Sequence, residues 1–258
     1  NYTAFSVASL LDMNYVTGIK GDNNDKKDLE ICINTIKKNH FSRCLQENGY
    51  KFYNFSIFEF DGQPSYAQST FLPLKTLPIT AQTFTRRIMR DLWYHLATTL
   101  KISSVIKNYK NSDRKNTEKL FSLTVKEAAK KRNSSKFVYS HLMMPHHPLY
   151  FDSSGNAYPL SMLTNTHFYD RKMRIGYLHY SNRKLLELCD KIVESSATPP
   201  VVFLLGDHGI REFKDSVEKK YLYMTLNAVL LPGRNYQGFY RGQTHVNHLR
   251  IFLNRHFN

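Results

Sequence analysis

Val7, Leu10 and Leu11 recur at helical spacing behind a polar Thr/Ser start, a pattern that predicts a first helix over Ser6–Met13. The polar stretch Gly18–Asp28 reads as a solvated loop. Ile31, Ile33, Ile36 and Phe41 then predict a second helix from about Leu29 to Gln46, closed by Asn48-Gly49. Tyr50–Phe60 is aromatic and β-branched and predicts a strand ended by Asp61-Gly62. Pro64, Pro73 and Pro78 mark Gln63–Thr83 as a long surface excursion, of the kind that borders sites. Helices are expected over Phe84–Leu100 and Thr117–Lys131, with the basic, Asn-rich patch Lys107–Lys119 between them read as a solvated turn.

Further along, Lys136–Ser140 is a short strand running into a His- and Pro-rich loop, and Tyr169–Ser195 is a long amphipathic helix that stops before Pro199-Pro200. Val201–Leu205 is a wholly apolar strand entering Gly206-Asp207-His208-Gly209. Tyr223–Leu231 supplies another strand, ended by Pro232-Gly233, and Val246–His256 a last helix. Short apolar strands spaced by long helices predict an α/β fold with a mostly parallel sheet covered on both faces. In such sheets the site lies at the carboxyl ends of the strands. Two strands here end in ionisable clusters, one at His141, His146 and His147 and the other at Asp207 and His208.

The 258 residues are enough for one large domain, and the apolar runs are too short for a membrane-spanning helix. Cys32, Cys44 and Cys189 have neither zinc-knuckle nor redox spacing and read as small packed side chains. The chain opens Asn1-Tyr2-Thr3 rather than with Met, which suggests a processed or truncated product. A formal net charge of +15 favours anionic partners: nucleic acid, an anionic membrane face or phosphorylated substrates. The basic residues are scattered, and no helix-turn-helix, zinc-finger or RNP pattern occurs, which sets nucleic acid aside. The charge also suits a domain facing anionic lipid.

Asp207-His208-Gly209 puts a carboxylate beside an imidazole on a turn whose glycine allows close backbone approach, and such oxygen and nitrogen donors suit Zn²⁺ or Mn²⁺. Arg211, just beyond, suits an oxyanion such as phosphate. The loop from His141 to Pro148 packs three histidines and two prolines into eight residues. Such imidazoles can ligate a metal, bind a transferring phosphoryl or sulfuryl group, or protonate a leaving group. His245 precedes the final helix, either as an ordinary loop histidine or as a residue reaching the same face. Thr3 stands just before the first helix, where its hydroxyl can serve as an N-cap or as a nucleophile aided by backbone N–H groups.

Taken together, four separated blocks resemble bacterial sulfatase-like membrane proteins of the alkaline phosphatase superfamily. The stretch from Thr3 to Tyr15 is similar to their T-x-x-S-L-A-S-x-L-N-M-x-Y segment. Phe137–His141, with Pro145-His146-His147-Pro148 and Phe151-Asp152, resembles F-x-Y-x-H…P-H-x-P…F-D. Val201–Arg211 is similar to their hydrophobic strand followed by G/S-D-H-G-x-R. Asn227–Gly233, with Thr244–Phe252, resembles the closing L-N-A-x-x-L-P-G…T-P-V-N-x-F-R block, except that His245 stands where the family tends to have proline.

The resemblance implies a single alkaline-phosphatase-like domain over residues 1–258, a three-layer α/β/α sandwich akin to phosphoethanolamine transferases, lipoteichoic acid synthases and sulfatases. It implies that Thr3 is a metal-bound nucleophile and that Asp207 and His208 ligate a divalent metal, Zn or Mn. His146 and His141 would bind the substrate oxyanion or a second metal; Arg211 and His245 are read with them as substrate-binding, the resemblance leaving the role of His245 open, and the substrate would be a phosphorylated or sulfated envelope lipid or glycan. A further acidic ligand, at the end of a first strand, and membrane-spanning segments are expected upstream of this chain. The implied setting is the extracytoplasmic, periplasmic side of a bacterial inner-membrane protein, beside an anionic membrane surface. No cysteine stands in the C/S-x-P-x-R setting of formylglycine sulfatases, so phosphoryl or phosphoglycerol-type transfer suits a threonine better. The alternative is a catalytically degenerate module of the same fold that binds an anionic envelope polymer.

Overall fold

The computed structural model describes residues 2–21, 25–66, 99–100, 111–163, 170–210 and 217–257. They form two compact units, one of Asn1–Ser65, Thr124–Ser140 and Cys189–Asn258, the other of Tyr66–Leu123 and His141–Leu188.

In the first unit, helix α1 (Thr3–Asp12) begins one turn earlier than its apolar spacing suggests. Tyr2, with extended backbone, is its N-cap, and the Tyr2 carbonyl accepts from the Ser6 amide at 3.0 Å. Thr3 is therefore the first helical residue and not the cap, a correction that leaves its hydroxyl outside the capping role. Val7, Ala8, Leu10 and Leu11 form the buried face.

The single helix expected over Leu29–Gln46 is two, α2 (Lys26–Lys37) and α3 (His40–Glu47). The fully buried Asn39 divides them. Its Nδ2 donates to the Ile36 carbonyl at 2.7 Å, closing α2, and its Oδ1 accepts from the Ser42 amide at 2.8 Å, opening α3. Asparagine does this because its short amide competes with the helical backbone for the same donors and acceptors.

Strand β1 (Lys51–Phe55) is half the length its composition suggests. Asn54 and Ser56 turn the chain: Ser56 Oγ donates to Asn54 Oδ1 at 2.6 Å, and Asn54 Nδ2 donates to the Phe58 carbonyl at 2.7 Å. β1 pairs in parallel with β2 (Lys136–Ser140), from Lys51 opposite Lys136 to Phe55 opposite Ser140. β3 (Val202–Leu205) pairs antiparallel with β4 (Asn227–Leu230), a shorter strand than Tyr223–Leu231. The described pairings of this α/β fold are thus one parallel and one antiparallel.

An aromatic core joins these strands to the helices. Phe52 stacks on Phe137 at 5.0 Å, Phe41 meets Phe137 edge-on at 5.3 Å, and Phe203 meets Phe252 edge-on at 5.5 Å. Such pairs contribute about 0.5–1.5 kcal/mol each beyond the area they bury. Phe252 belongs to the last helix, which begins at His245 and buries Val246, Leu249 and Leu253 beside it.

The helix over Ser112–Ala129, α4, starts five residues before the expected Thr117 and takes up half of the basic patch, with Arg114 and Glu118 paired at 3.0 Å one turn apart. At its end Lys136 Nζ donates to the carbonyls of Glu127, Ala128 and Lys130, which fastens the start of β2. Helix α5 (Arg171–Ser195) is close to expectation, with Asp170 Oδ1 accepting from the Met173 amide at 2.9 Å. The helix from His245 to His256 is α6.

The second unit has its own core of Leu149, Tyr150, Leu163, Met173 and Tyr177. Phe151 stacks on Tyr180 at 4.5 Å, and the Arg114 guanidinium lies 5.0 Å over Phe151. The expected helix Phe84–Leu100, most of the excursion from Gln63 and the first part of the basic patch lie outside the described residues. All three cysteines are free thiols, Cys32 fully buried. Among the described residues no helix is long and apolar enough to cross a membrane.

Candidate functional site

β3 is apolar throughout and carries the chain out of the core, so the first polar residues after it emerge at the carboxyl end of the strand. The Gly206 amide still pairs with the Leu226 carbonyl at 2.9 Å, and the Gly209 amide donates to the Leu222 carbonyl at 3.1 Å. Between those two anchors stand Asp207 and His208. The anchors need glycine at 209: a Cβ there would meet the Leu222 carbonyl carbon and oxygen at 2.8 Å, and the Tyr221 carbonyl oxygen more closely still.

Within the turn, Asp207 Oδ1 accepts from the His208 amide at 3.0 Å, while Asp207 Oδ2 lies 3.6 Å from His208 Nε2. His208 Nδ1 donates to the Gly209 carbonyl at 2.9 Å. That bond fixes the ring tautomer and gives Nε2 the lone pair, an arrangement that orients metal-ligating imidazoles. Two ligands on one tetrahedral zinc, each at about 2.0–2.1 Å, lie roughly 3.4 Å apart. The Asp207–His208 pair fits two adjacent positions of such a shell. Among the described residues no group of three His, Cys, Asp or Glu side chains is arranged to hold an ion.

His245 belongs to the same place. It is the first residue of α6 rather than a loop histidine, and its Nε2 shares a 3.0 Å hydrogen bond with the Thr225 hydroxyl. Burial pushes its imidazole below the ordinary histidine range, against a backbone hydrogen bond with Leu226 and the charge of Asp207. Tyr139, the penultimate residue of β2, feels the same carboxylate: burial and then Asp207 hold its hydroxyl far above the usual tyrosine range. The ends of β2 and β3 and the start of α6 therefore converge on Asp207.

Two residues here escape a reading of the sequence. His248 lies one turn along α6, its ring 6.3 Å from that of His245 and 5.6 Å from Phe239. It is buried, its Nδ1 makes no hydrogen bond among the described residues, and burial followed by the neighbouring His245 lowers its pKa to about 4. Thr225 is the other. The i, i+3 spacing of the two histidines was the available signal for His248; Thr225, twenty residues from its partner, offered none.

Of the remaining candidates, Thr3 is in the first unit at the N-terminus of α1. His141 and His146 are in the second. His146 is exposed, in a turn closed by its amide to the Met143 carbonyl at 2.8 Å, and its Nδ1 donates to the His147 carbonyl at 2.6 Å. Arg211 lies outside the described residues. Comparison of the chain with protein-family models, with curated proteins and with solved structures finds no match.

Proposed function

We propose that the chain is a metal-dependent hydrolase or transferase of phospho- or sulfo-esters, acting on a cell-envelope lipid or polysaccharide through Thr3 as nucleophile. The observation that carries this reading is the 3.6 Å approach of Asp207 Oδ2 to His208 Nε2 on a turn held open by glycine. The sequence blocks around Thr3, His141 and Asp207 supply the rest, and with them a three-layer sandwich and an extracytoplasmic setting at a bacterial inner membrane.

Asp207 and His208, with the Thr3 hydroxyl, would hold a divalent zinc or manganese ion. When bound, the ion supplies positive charge that acidifies a hydroxyl and neutralises phosphoryl oxygens. Thr3 stands at the first position of α1, where the backbone N–H groups favour the negative charge that grows on its oxygen during attack. Its oxygen gives up its proton and forms the new bond to phosphorus or sulfur while the bond to the ester oxygen breaks, and that leaving oxygen takes up one proton in exchange. Water or an acceptor hydroxyl then displaces Thr3 and restores it. His245, kept neutral by burial, fixes the Thr225 hydroxyl at the edge of the site. His141, His146 and Arg211 are assigned to the substrate oxyanion.

The decisive experiment compares Thr3→Ala and Thr3→Ser in zinc- or manganese-loaded protein on aryl phosphodiester and phosphomonoester substrates. Loss of turnover in Thr3→Ala, partial activity in Thr3→Ser and a phosphorylated Thr3 peptide in the wild type are expected. Unchanged turnover in Thr3→Ala refutes the assignment. The net charge of +15 favours a second reading, a non-catalytic module that holds an anionic envelope polymer. Salt-sensitive polymer binding that survives alanine at Asp207 and His208, in a protein without turnover, would select it.

A further inference from the structure

The chain between the candidate site and β4 carries an unusual surface. Tyr221, Tyr223, Met224 and Leu226 are all exposed large hydrophobic residues, Tyr223 and Met224 at 69% and 61%. No other six consecutive described residues hold four such side chains. Ile210, also exposed, adjoins them through the Gly209–Leu222 hydrogen bond. Exposed apolar groups normally occur singly, and a cluster marks a surface that something covers.

The segment is held in place. The amides of Tyr223 and Met224 donate to the Lys220 carbonyl at 3.0 and 3.1 Å, and the Leu226 carbonyl accepts from Gly206. Two lysines flank it: Lys219 is exposed, and Lys220 lies 5.0 Å over the Tyr221 ring and pairs with Glu218 at 2.9 Å. From Lys219 to Leu226 there is no carboxylate. Tyrosines, methionine and leucine beside lysines, on a protein of charge +15, match the interface of an anionic bilayer: the rings and aliphatic groups enter the headgroup–acyl boundary and the ammonium groups meet lipid phosphates.

We infer that the Ile210/Tyr221–Leu226 rim docks on an anionic lipid bilayer. The rim is bonded to the turn that carries Asp207 and His208, so docking brings that turn to the lipid headgroups. This last step rests on the proposed function; binding to lipid does not.

The test is flotation of the whole chain with phosphatidylglycerol–phosphatidylcholine vesicles and with pure phosphatidylcholine vesicles. Binding to the first and little to the second is expected, and Tyr223→Ser/Met224→Ser should weaken it at least roughly tenfold, the scale of losing one or two buried apolar side chains. An unchanged circular dichroism melt checks that this doubly substituted protein is folded. A Lys219→Glu/Lys220→Glu protein should also weaken and should lose part of the salt dependence. The inference is overturned if the wild type ignores both vesicles. It is equally overturned if Tyr223→Ser/Met224→Ser binds like the wild type, which would mean adsorption by charge alone. Sedimentation showing instead that the rim joins two copies of the chain would overturn it as well. Asp207→Asn is the control that separates the two readings: it should bind vesicles like the wild type whether or not the site turns over esters.

Discussion

The Gly209 amide reaches the Leu222 carbonyl at 3.1 Å, so close that the two backbones leave no room for a methyl group. Neither neighbour can yield, because both are main-chain atoms. Gly209→Ala is therefore expected to cost roughly 2–3 kcal/mol, the scale of overpacking a rigid contact. Urea denaturation measures it, and a loss below about 0.5 kcal/mol would mean that the turn relaxes freely.

Asn39 makes a similar local demand between α2 and α3. Asn39→Ala strips a partner from both the Ile36 carbonyl and the Ser42 amide in a buried place, at an expected cost of about 2 kcal/mol. Asn39→Asp keeps the acceptor for Ser42 but not the donor for Ile36 and should fall between the two. Hydrogen exchange at the Ser42 amide reports the cap directly: faster in the alanine protein, protected in the aspartate one.

His248 sets a pH dependence whose sign follows from its lowered pKa of about 4. The unfolded chain takes up a proton near the ordinary histidine value of about 6.5, before the folded protein does. Stability is then complete above that value, falls as the pH drops toward 4, and loses roughly 2–3 kcal/mol over that window. His245 is lowered too and acts in the same direction. His248→Phe should flatten the profile between pH 4 and 6.5 in thermal melts at a series of pH values. A wild-type profile level across that window would contradict the assignment.

Removing the Asp207 carboxylate should weaken zinc or manganese binding far more than it weakens the fold, since that side chain is partly exposed and, among the described residues, hydrogen-bonds only within its own turn. Isothermal titration of the metal into wild-type and Asp207→Asn protein should show at least roughly a hundredfold loss, since losing even a group that only orients a ligand costs about 10–100-fold. Equal affinities would place the ion elsewhere.

How far the residues foretold this arrangement depends on which interaction decided each element. β2 was legible from Lys136 to Ser140 because polar residues bound a short apolar run on both sides. The break at Asn39 was not, because apolar residues continue on both sides of it with no Pro or Gly between, while the amide that divides the helices adds no apolar signal. β4 was expected as a strand, yet an apolar run has no direction, and its antiparallel pairing with β3 had no local signature. At the site, Asp207 and His208 were legible because neighbours in sequence share one turn. The Thr225–His245 bond forms only when the start of α6 meets the segment leading into β4, and the ring of His248 finds Phe239 only once the loop before α6 has folded back.

The Arg250 guanidinium donates to the Met13 carbonyl across 237 positions, and α1 shares one apolar core with Leu249, Phe252 and Leu253 of α6. On a ribosome α1 emerges first and α6 some 240 residues later, roughly 12–50 s at ordinary rates of synthesis. The seam of α1 that α6 will cover is left without its partner for that interval. The core of this unit is therefore completed only after α6 has been synthesised, so its stability belongs to the finished chain and not to its early segments.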